Sequence, residues 1–349
     1  MSQKRLTFHN LWVCVTRRCN LPHTCLHCMR GEPQSVDLSR ECIDRLLEQT
    51  ELIGKLVLTG GEPTAAVDTI EYIINQLMKK SIPLLQLQVI TNGFAYSQHF
   101  AEVIKLFAEH IKWSVSEKVD IRERILFGVS TDHYHSSCYD PLPTFNTYKA
   151  QFQDIATVYE DKQGDTVLKL GKAKNIDGIP CNYQFSMPEK KITLFSKERV
   201  CNCPAAGTFS LLYDNQICVA CPIVVTATGK LIPCGDRYKE WAAEDGTQEI
   251  CYLDGSSIIQ AIEKYNNNAA RVSCIDYQLV YLDLVKSGKL DKDIFEYSQY
   301  MKKISSNKHS QTGLIPATSK CESETVDIYS DHASPRKLKE LQKRRRRSY

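Results

Sequence analysis

Thr16-Arg17-Arg18-Cys19-Asn20-Leu21-Pro22-His23-Thr24-Cys25-Leu26-His27-Cys28-Met29-Arg30-Gly31 follows directly on an apolar run, Leu11-Trp12-Val13-Cys14-Val15. That run has the length and composition of a buried strand, which puts Cys19, Cys25 and Cys28 on the loop leaving it. Three cysteines are one short of what zinc or a fully ligated iron-sulfur cluster takes. A cubane held by three thiolates keeps one iron open for a substrate or cofactor, so the missing ligand points to catalysis rather than structure. Cys14 competes with Cys19 as a ligand, but it lies inside the apolar run and lacks the Asn-Leu that follows Cys19.

Outward from this loop, strand and helix patterns alternate. Asp37 or Ser39 can cap a helix that carries Ile43, Leu46 and Leu47 on one face. Lys55 to Thr59 reads as a strand and runs into Gly60-Gly61-Glu62-Pro63. Ile70, Ile73, Ile74 and Leu77 repeat at helical spacing; Leu84 to Ile90 is strand-like and ends in Thr91-Asn92-Gly93. A third helix is marked by Phe100, Val103, Ile104, Phe107 and Ile111, and Ile125 to Ser130 returns to strand character before Thr131-Asp132-His133-Tyr134-His135. Phe145, Tyr148, Phe152, Ile155 and Tyr159 predict a fourth helix, and Val167 to Leu170 a strand ahead of Gly171-Lys172-Ala173. Such alternation implies a parallel α/β sheet, wound open or closed as a barrel, with the site at the strands' carboxyl ends. Five polar or glycine-containing loops are therefore expected to converge.

The regularity fails after about residue 176. Phe209 to Tyr213, a turn at Asp214-Asn215 and Ile217 onward read as one hairpin, and a second turns at Thr228-Gly229 between Ile223-Val224-Val225 and Leu231-Ile232. Helical patterns follow at 258–265, 277–285 and 294–304. From residue 305 the composition predicts disorder up to a basic end. The expected division is 1–200 for the barrel core, 201–304 for a cysteine-containing hairpin and helical extension, and 305–349 for the tail.

With 349 residues, 42% hydrophobic and 24% charged, the composition is that of a soluble globular protein. No signal-peptide pattern and no apolar run of about 18 residues is present, so a cytoplasmic location is expected, without membrane contact. Fifteen cysteines in a chain of this size, an odd number, fit metal or cluster ligation better than a disulfide framework. Eight basic residues and one acid between Arg336 and Arg347 give that tail +7, and with +3 overall the rest carries −4. Nucleic acid is accordingly not expected on the folded part, and only the basic tail offers it a surface.

Residues 10 to 180 resemble the radical S-adenosylmethionine (SAM) enzymes. Thr16-x-x-Cys19-Asn20-Leu21 and Cys25-x-x-Cys28 match both halves of that family's cysteine loop, although five residues separate Cys19 from Cys25 where the family has three. The resemblance implies a partial (β/α)6 TIM-like barrel with a 4Fe-4S cluster on Cys19, Cys25 and Cys28. It also implies reductive cleavage of SAM to a 5′-deoxyadenosyl radical that takes hydrogen from a substrate. Gly60, Gly61, Glu62 and Pro63 would receive the methionine end of SAM, with Thr91, Asn92, Ser130 and Asp132 as further cofactor contacts. Lys172 would meet the SAM carboxylate or stay solvated; Arg30 would neutralise cluster or cofactor charge or sit on the surface. His133 and His135 are candidates for acid-base work on the substrate, against the commoner role of a packed or hydrogen-bonded histidine.

Cys218-x-x-Cys221 with Cys234 across a hairpin has metal-ligand spacing, and Cys201 and Cys203 lie nearby. These five resemble a SPASM or twitch extension holding an auxiliary Fe-S cluster or zinc; otherwise they are buried thiols. A flavodoxin- or ferredoxin-type reductant follows as partner, and a peptide or protein is the substrate class to which the extension is related. The competing function is a non-catalytic zinc-binding interaction module.

Overall fold

The computed structural model describes residues 5–21, 25–28, 31–115, 119–162, 172, 192, 194–196, 200–201, 211–212, 217–219, 222–233 and 249–267. It is an α/β fold built on parallel strands β1 (Leu6–Cys14), β2 (Thr50–Thr59), β3 (Leu84–Thr91), β4 (Ile125–Ser130) and β5 (Thr157–Asp161). These pair in chain order, each parallel to the next. Between them run α1 (Arg40–Glu48), α2 (Val67–Lys80), α3 (Gln98–Ser114), the single turn α4 (His133–Ser136) and α5 (Leu142–Phe152). Strands in chain order carry every crossover the same way across the sheet, so crossovers of one hand lay the helices on one face. Successive helices accordingly touch, α1 against α2 and α2 against α3. This is the order of a barrel wall; a doubly wound sheet reverses its order at a switch point.

The two faces of the sheet differ in chemistry because side chains alternate along each strand. Leu11 and Val13, Leu56 and Leu58, Leu87 and Val89, Phe127 and Val129 are buried in the main core with Ile43, Ile70, Ile74, Phe100 and Phe107 of the helices. The other face carries Asn10, Trp12, Lys55, Gln86, Gln88 and Tyr159, brought side by side by the register. Gln88 Nε2 donates to the Tyr159 hydroxyl at 3.1 Å across that face.

The far edge of β1 departs from a plain strand-helix wall. Its first half pairs in parallel with β9 (Ile217–Val219) and its second with β10 (Ile223–Val225), which makes a hairpin with β11 (Lys230–Pro233) around Thr228-Gly229 as expected. β12 (Cys251–Tyr252) adds to β11, and α6 (Ile258–Asn266) follows. Among the described residues the other expected hairpin is not formed. β8 (Leu211–Leu212) pairs with β7 (Val200–Cys201), whereas β9 pairs with β1 and with β6 (Leu194–Ser196). An apolar strand of three residues gains more from the buried edge of β1 than from an isolated ribbon.

The fourth helix is also shorter than its periodicity suggests. Phe145, Tyr148 and Phe152 are buried on α5, but the chain leaves the helix there and Tyr159 belongs to β5. Ile155 packs on the core from the connecting turn, which continues the apolar spacing without continuing the helix. The Thr157-Val158-Tyr159 composition favours the strand. The strand expected at 167–170, a sixth barrel strand beyond β5, the helices expected at 277–285 and 294–304 and the tail from 305 lie outside the described residues. No helix of the described residues is long and apolar enough to cross a membrane.

Of the two candidates for the α1 cap, Ser39 does the capping: its side chain accepts from the Cys42 amide at 3.2 Å. Replacing Ser39 with Ala is expected to cost about 0.5–2 kcal/mol. Urea unfolding would check this, and a midpoint equal to that of the unaltered chain would remove the cap from the account of α1.

Candidate functional site

The loop after β1 is fixed at its base before its cysteines begin. Arg17 N donates to the Val36 carbonyl at 2.7 Å, Gln34 N to the Arg17 carbonyl at 3.1 Å, and Thr16 and Asp37 form a bridge. Asp37, freed from capping, accepts from Thr16 Oγ1 at 2.6 Å and from Arg18 Nε and Nη2 at 2.8 and 2.6 Å. Burial pushes the Asp37 carboxyl up, but the Arg18 and Thr16 hydrogen bonds outweigh it and hold the pKa below 3.8.

The loop after β2 lies directly on this base. Gly61 N donates to the Thr16 carbonyl at 2.7 Å and Glu62 N to the Arg18 carbonyl at 2.8 Å. A Cβ on Gly60 would stand 2.6 Å from the Thr16 oxygen, and one on Gly61 would collide with the Arg18 oxygen. The glycines thus let two loops meet backbone to backbone. Pro63 opens a 3-10 turn, Pro63–Ala66, beside them.

Glu62 then ties the third loop in. Only 1% exposed, its carboxylate accepts from Thr64 N at 3.0 Å, Thr64 Oγ1 at 2.8 Å, Thr91 Oγ1 at 2.7 Å and Asn92 N at 2.8 Å. Four donors occupy it, so Glu62 is a bracket, as is Thr91. Asn92 reaches back to the first loop: its Nδ2 donates to Asn20 Oδ1 at 2.7 Å and lies 3.9 Å from Cys19 Sγ. The Tyr139 hydroxyl closes the ring by donating to the Asn92 carbonyl.

The fourth loop brings the histidines. Asp132 is buried and caps α4, accepting from the Tyr134 and His135 amides at 3.0 and 3.1 Å. Its other oxygen holds His135 Nδ1 at 2.6 Å. Burial raises the Asp132 carboxyl, but the His135 hydrogen bond and charge outweigh that and lower it below 3.8. His27 stacks on Tyr134 at 4.8 Å and meets His135 edge-on at 4.6 Å. Burial, then the neighbouring His135, lowers the His27 pKa to about 4. His133 touches only the Tyr134 ring among the contacts of this cluster. Ser130 ends β4 opposite Asp161 of β5.

The three cysteines belong to the loop carried on this platform. None is in a disulfide. Cys25 is pushed up first by its hydrogen bond with Cys28, then by burial and by the charges of Cys28 and Cys19. Cys19 is raised by burial, although the Leu21 amide, 3.4 Å from its sulfur, and Asn92 pull the other way. Three thiols with N–H donors on one of them are the donor set of a cluster held by three cysteines. Lys172 stands beside them: its amide donates to the Cys28 carbonyl at 2.9 Å and its ammonium pairs with Glu32 at 3.0 Å.

No family model and no curated protein matches the chain. Among solved structures, it is similar to the anaerobic sulfatase-maturating radical SAM enzyme anSMEcpe with bound AdoMet and Cp18Cys peptide, at 13% identity over 75% of this chain and 81% of that one, with a TM-score of 0.37. The hexahistidine-tagged form of anSMEcpe with bound AdoMet gives 14% identity, the same coverage and a TM-score of 0.38.

Four of the five expected loops therefore converge, with Lys172 representing the fifth. Arg30, Cys203, Cys221 and Cys234 lie outside the described residues, as do the side chains of Cys201 and Cys218, whose backbones lie in β7 and β9. Sequence reasoning missed Asp37, Tyr139 and His27. Asp37 was hidden by its resemblance to a cap, and His27 is marked only by its place between Cys25 and Cys28.

The buried and the exposed bracket should respond differently. Glu62→Gln puts an N–H where a donor already points and is expected to cost about 1–3 kcal/mol. Asp37→Asn breaks a pair whose side chains are 44% and 37% exposed, and should cost under about 1 kcal/mol. Denaturation midpoints of the two variants check the order, and a larger loss for Asp37→Asn would reverse the assignment.

Proposed function

We propose that the chain is a radical SAM enzyme in which Cys19, Cys25 and Cys28 hold a 4Fe-4S cluster at the carboxyl ends of the parallel strands. The observation that carries the reading is a three-cysteine loop fastened at its base and braced by the loops after β2 and β3, with the Cys25 thiol hydrogen-bonded to Cys28 and under the electrostatic influence of Cys19. Cluster and SAM, when bound, supply reductive cleavage of the sulfonium C–S bond to methionine and a 5′-deoxyadenosyl radical that removes hydrogen from the substrate. A flavodoxin- or ferredoxin-type protein is the reductant that this chemistry needs.

The chain's own groups orient and exclude. Leu21 N and Asn92 Nδ2 direct N–H bonds at the Cys19 sulfur and favour its thiolate form. Gly60 and Gly61 keep the loops after β1 and β2 in direct contact, which leaves no room for water between them. His135 is the better placed of the two acid-base candidates. Asp132 anchors its Nδ1, so Nε2 is the nitrogen left to give or take a proton. His133 has no such partner among the described contacts.

One observation favours a second reading. Ligand atoms of Cys25, His27 and His135 lie within 4.8 Å of one another, with Asp132 behind His135 in the way that carboxylates support metal-bound imidazoles. That set suits a single zinc ion and a binding module rather than radical chemistry.

Anaerobic purification followed by iron, sulfide and zinc analysis separates the two. The radical reading expects about four irons per chain, loss of most of that iron in each of Cys19→Ala, Cys25→Ala and Cys28→Ala, and retention in Cys14→Ala. Reduced protein should turn SAM into 5′-deoxyadenosine. His135→Ala should lower turnover about 100-fold or more while keeping its iron, and His133→Ala should not. A colourless protein with one zinc, lost in His27→Ala and His135→Ala but kept in Cys19→Ala, would establish the second reading instead.

A further inference from the structure

Beneath the cysteine loop, the helix-free face of the sheet holds polar side chains that the site above does not use. Asn10 of β1, Lys55 of β2 and Gln86 of β3 are register neighbours across three adjacent strands. They stand on an apolar layer one step deeper, Phe8, Ile53 and Leu84. Trp12 is two residues nearer the rim.

Asn10 and Gln86 are only 3% and 4% exposed. Asn10 Oδ1, Gln86 Oε1 and Trp12 Nε1 are all buried without a hydrogen-bond partner among the described residues. Gln86 Nε2 donates to the Glu123 carbonyl at 3.3 Å, which fixes its other end as an acceptor. An unpartnered buried polar atom costs about 1–3 kcal/mol, and native proteins keep few of them. Here two of them flank a lysine on one face, and the third, the Trp12 indole, lies one layer nearer the rim, packed against Cys14, Val224 and Ile232. Lys55 has no acidic partner among the described residues, and burial alone lowers its pKa. A fold spends stability in this way where a ligand completes the bonding.

We infer that Lys55, Asn10, Gln86 and Trp12 form a subsite for a small carboxylate flanked by an N–H donor, the chemistry of an amino acid or of a peptide C-terminus. The ammonium answers the carboxylate, the indole N–H one of its oxygens, and the two amide oxygens the adjacent N–H. The layer lies four residues below the rim at Thr59, about 13 Å along the strand. As the anchor of a substrate whose reacting end points up to the cysteines, the subsite rests on the radical SAM reading; as a binding site it does not.

The test uses the full chain and named probes: glycine, N-acetylglycine, acetate and inorganic phosphate, each titrated against tryptophan fluorescence and melting temperature. Glycine or N-acetylglycine should saturate and raise the melting temperature, with glycine ahead for an amino-acid ligand and N-acetylglycine ahead for a peptide end; acetate should bind more weakly. Lys55→Met should weaken binding about 10-fold or more. Without ligand it should melt about 2–4 °C higher, since an unpaired buried charge gives way to an apolar chain of similar length. Gln86→Leu is the second variant and should also lose binding. The inference is overturned if phosphate saturates and the carboxylates do not, if no probe binds, if both variants bind as the unaltered chain does, or if Lys55→Met folds but melts lower. Iron content and SAM cleavage are measured separately on the unaltered chain. Their failure would remove the radical chemistry and leave the binding result standing.

Discussion

The arrangement depends on one close approach, the backbone of Gly60-Gly61 laid against that of Thr16-Arg18. No side chain could do this, because a Cβ on Gly61 would occupy the place of the Arg18 oxygen. The contact gives the cysteine loop a floor made of amide hydrogen bonds, which hold direction better than long side chains do. From that floor, order spreads sideways through a single buried carboxylate: Glu62 takes two donors from its own turn and two from the end of β3. Asn92, positioned by Glu62 through its amide, turns its own side chain back onto Asn20 and Cys19. Three loops far apart in sequence are thereby locked with few side chains, and the cysteines inherit their geometry from neighbours.

A buried carboxylate is a costly choice of bracket, since its charge must be compensated wherever water is excluded. Four donors supply that compensation, and two of them are threonine hydroxyls that can rotate to fit. Asp132 follows the same logic one loop further on, where two amides and an imidazole share one side chain. The exposed pair Arg18–Asp37 works differently: it closes the base of the loop in contact with solvent, so its contribution is to direction more than to stability.

Much of this was legible in the residues alone. Alternating strand and helix patterns, each strand ending in a polar or glycine-bearing loop, were enough to place the site at the carboxyl ends, and the cysteine spacing marked the loop that matters. The failures have physical causes. Apolar spacing runs on from Phe152 to Ile155 because both bury against the same core, yet only the first is helical. β9 looks like a hairpin partner of β8 by proximity in sequence, but the open edge of β1 is a better surface, and edge preference is a tertiary property. The loop-to-loop contact of Gly60 and Gly61 and the bracketing by Glu62 come in addition to the cofactor contacts expected of them, and a sequence cannot show that the space beside a glycine is taken by another loop. His27 was passed over because its meaning lies in Tyr134 and His135, more than one hundred residues away.

The alternation that builds the wall also explains why its two faces are so unlike. Along β1 to β4 the helix-facing residues are mostly apolar, as burial there demands, with buried exceptions such as His9 and Thr91. The residues between them face away from the described helices, and a fold selected for stability alone would fill that face with Val, Ile and Leu in interlocking layers. Phe8, Ile53 and Leu84 do so at the bottom. Above them one layer breaks to Asn10, Lys55 and Gln86, while the next is mixed, with Trp12, Val57 and Gln88 side by side and Val224 of β10 beyond Trp12. Three adjacent strands change together at the depth of Asn10, Lys55 and Gln86, which sets the polar layer apart from single substitutions scattered along a strand. β1 and β2 carry Asn10 and Lys55 at mid-depth and the loops of Cys19 and Gly60-Gly61 at their carboxyl ends, which is the arrangement the proposed subsite requires.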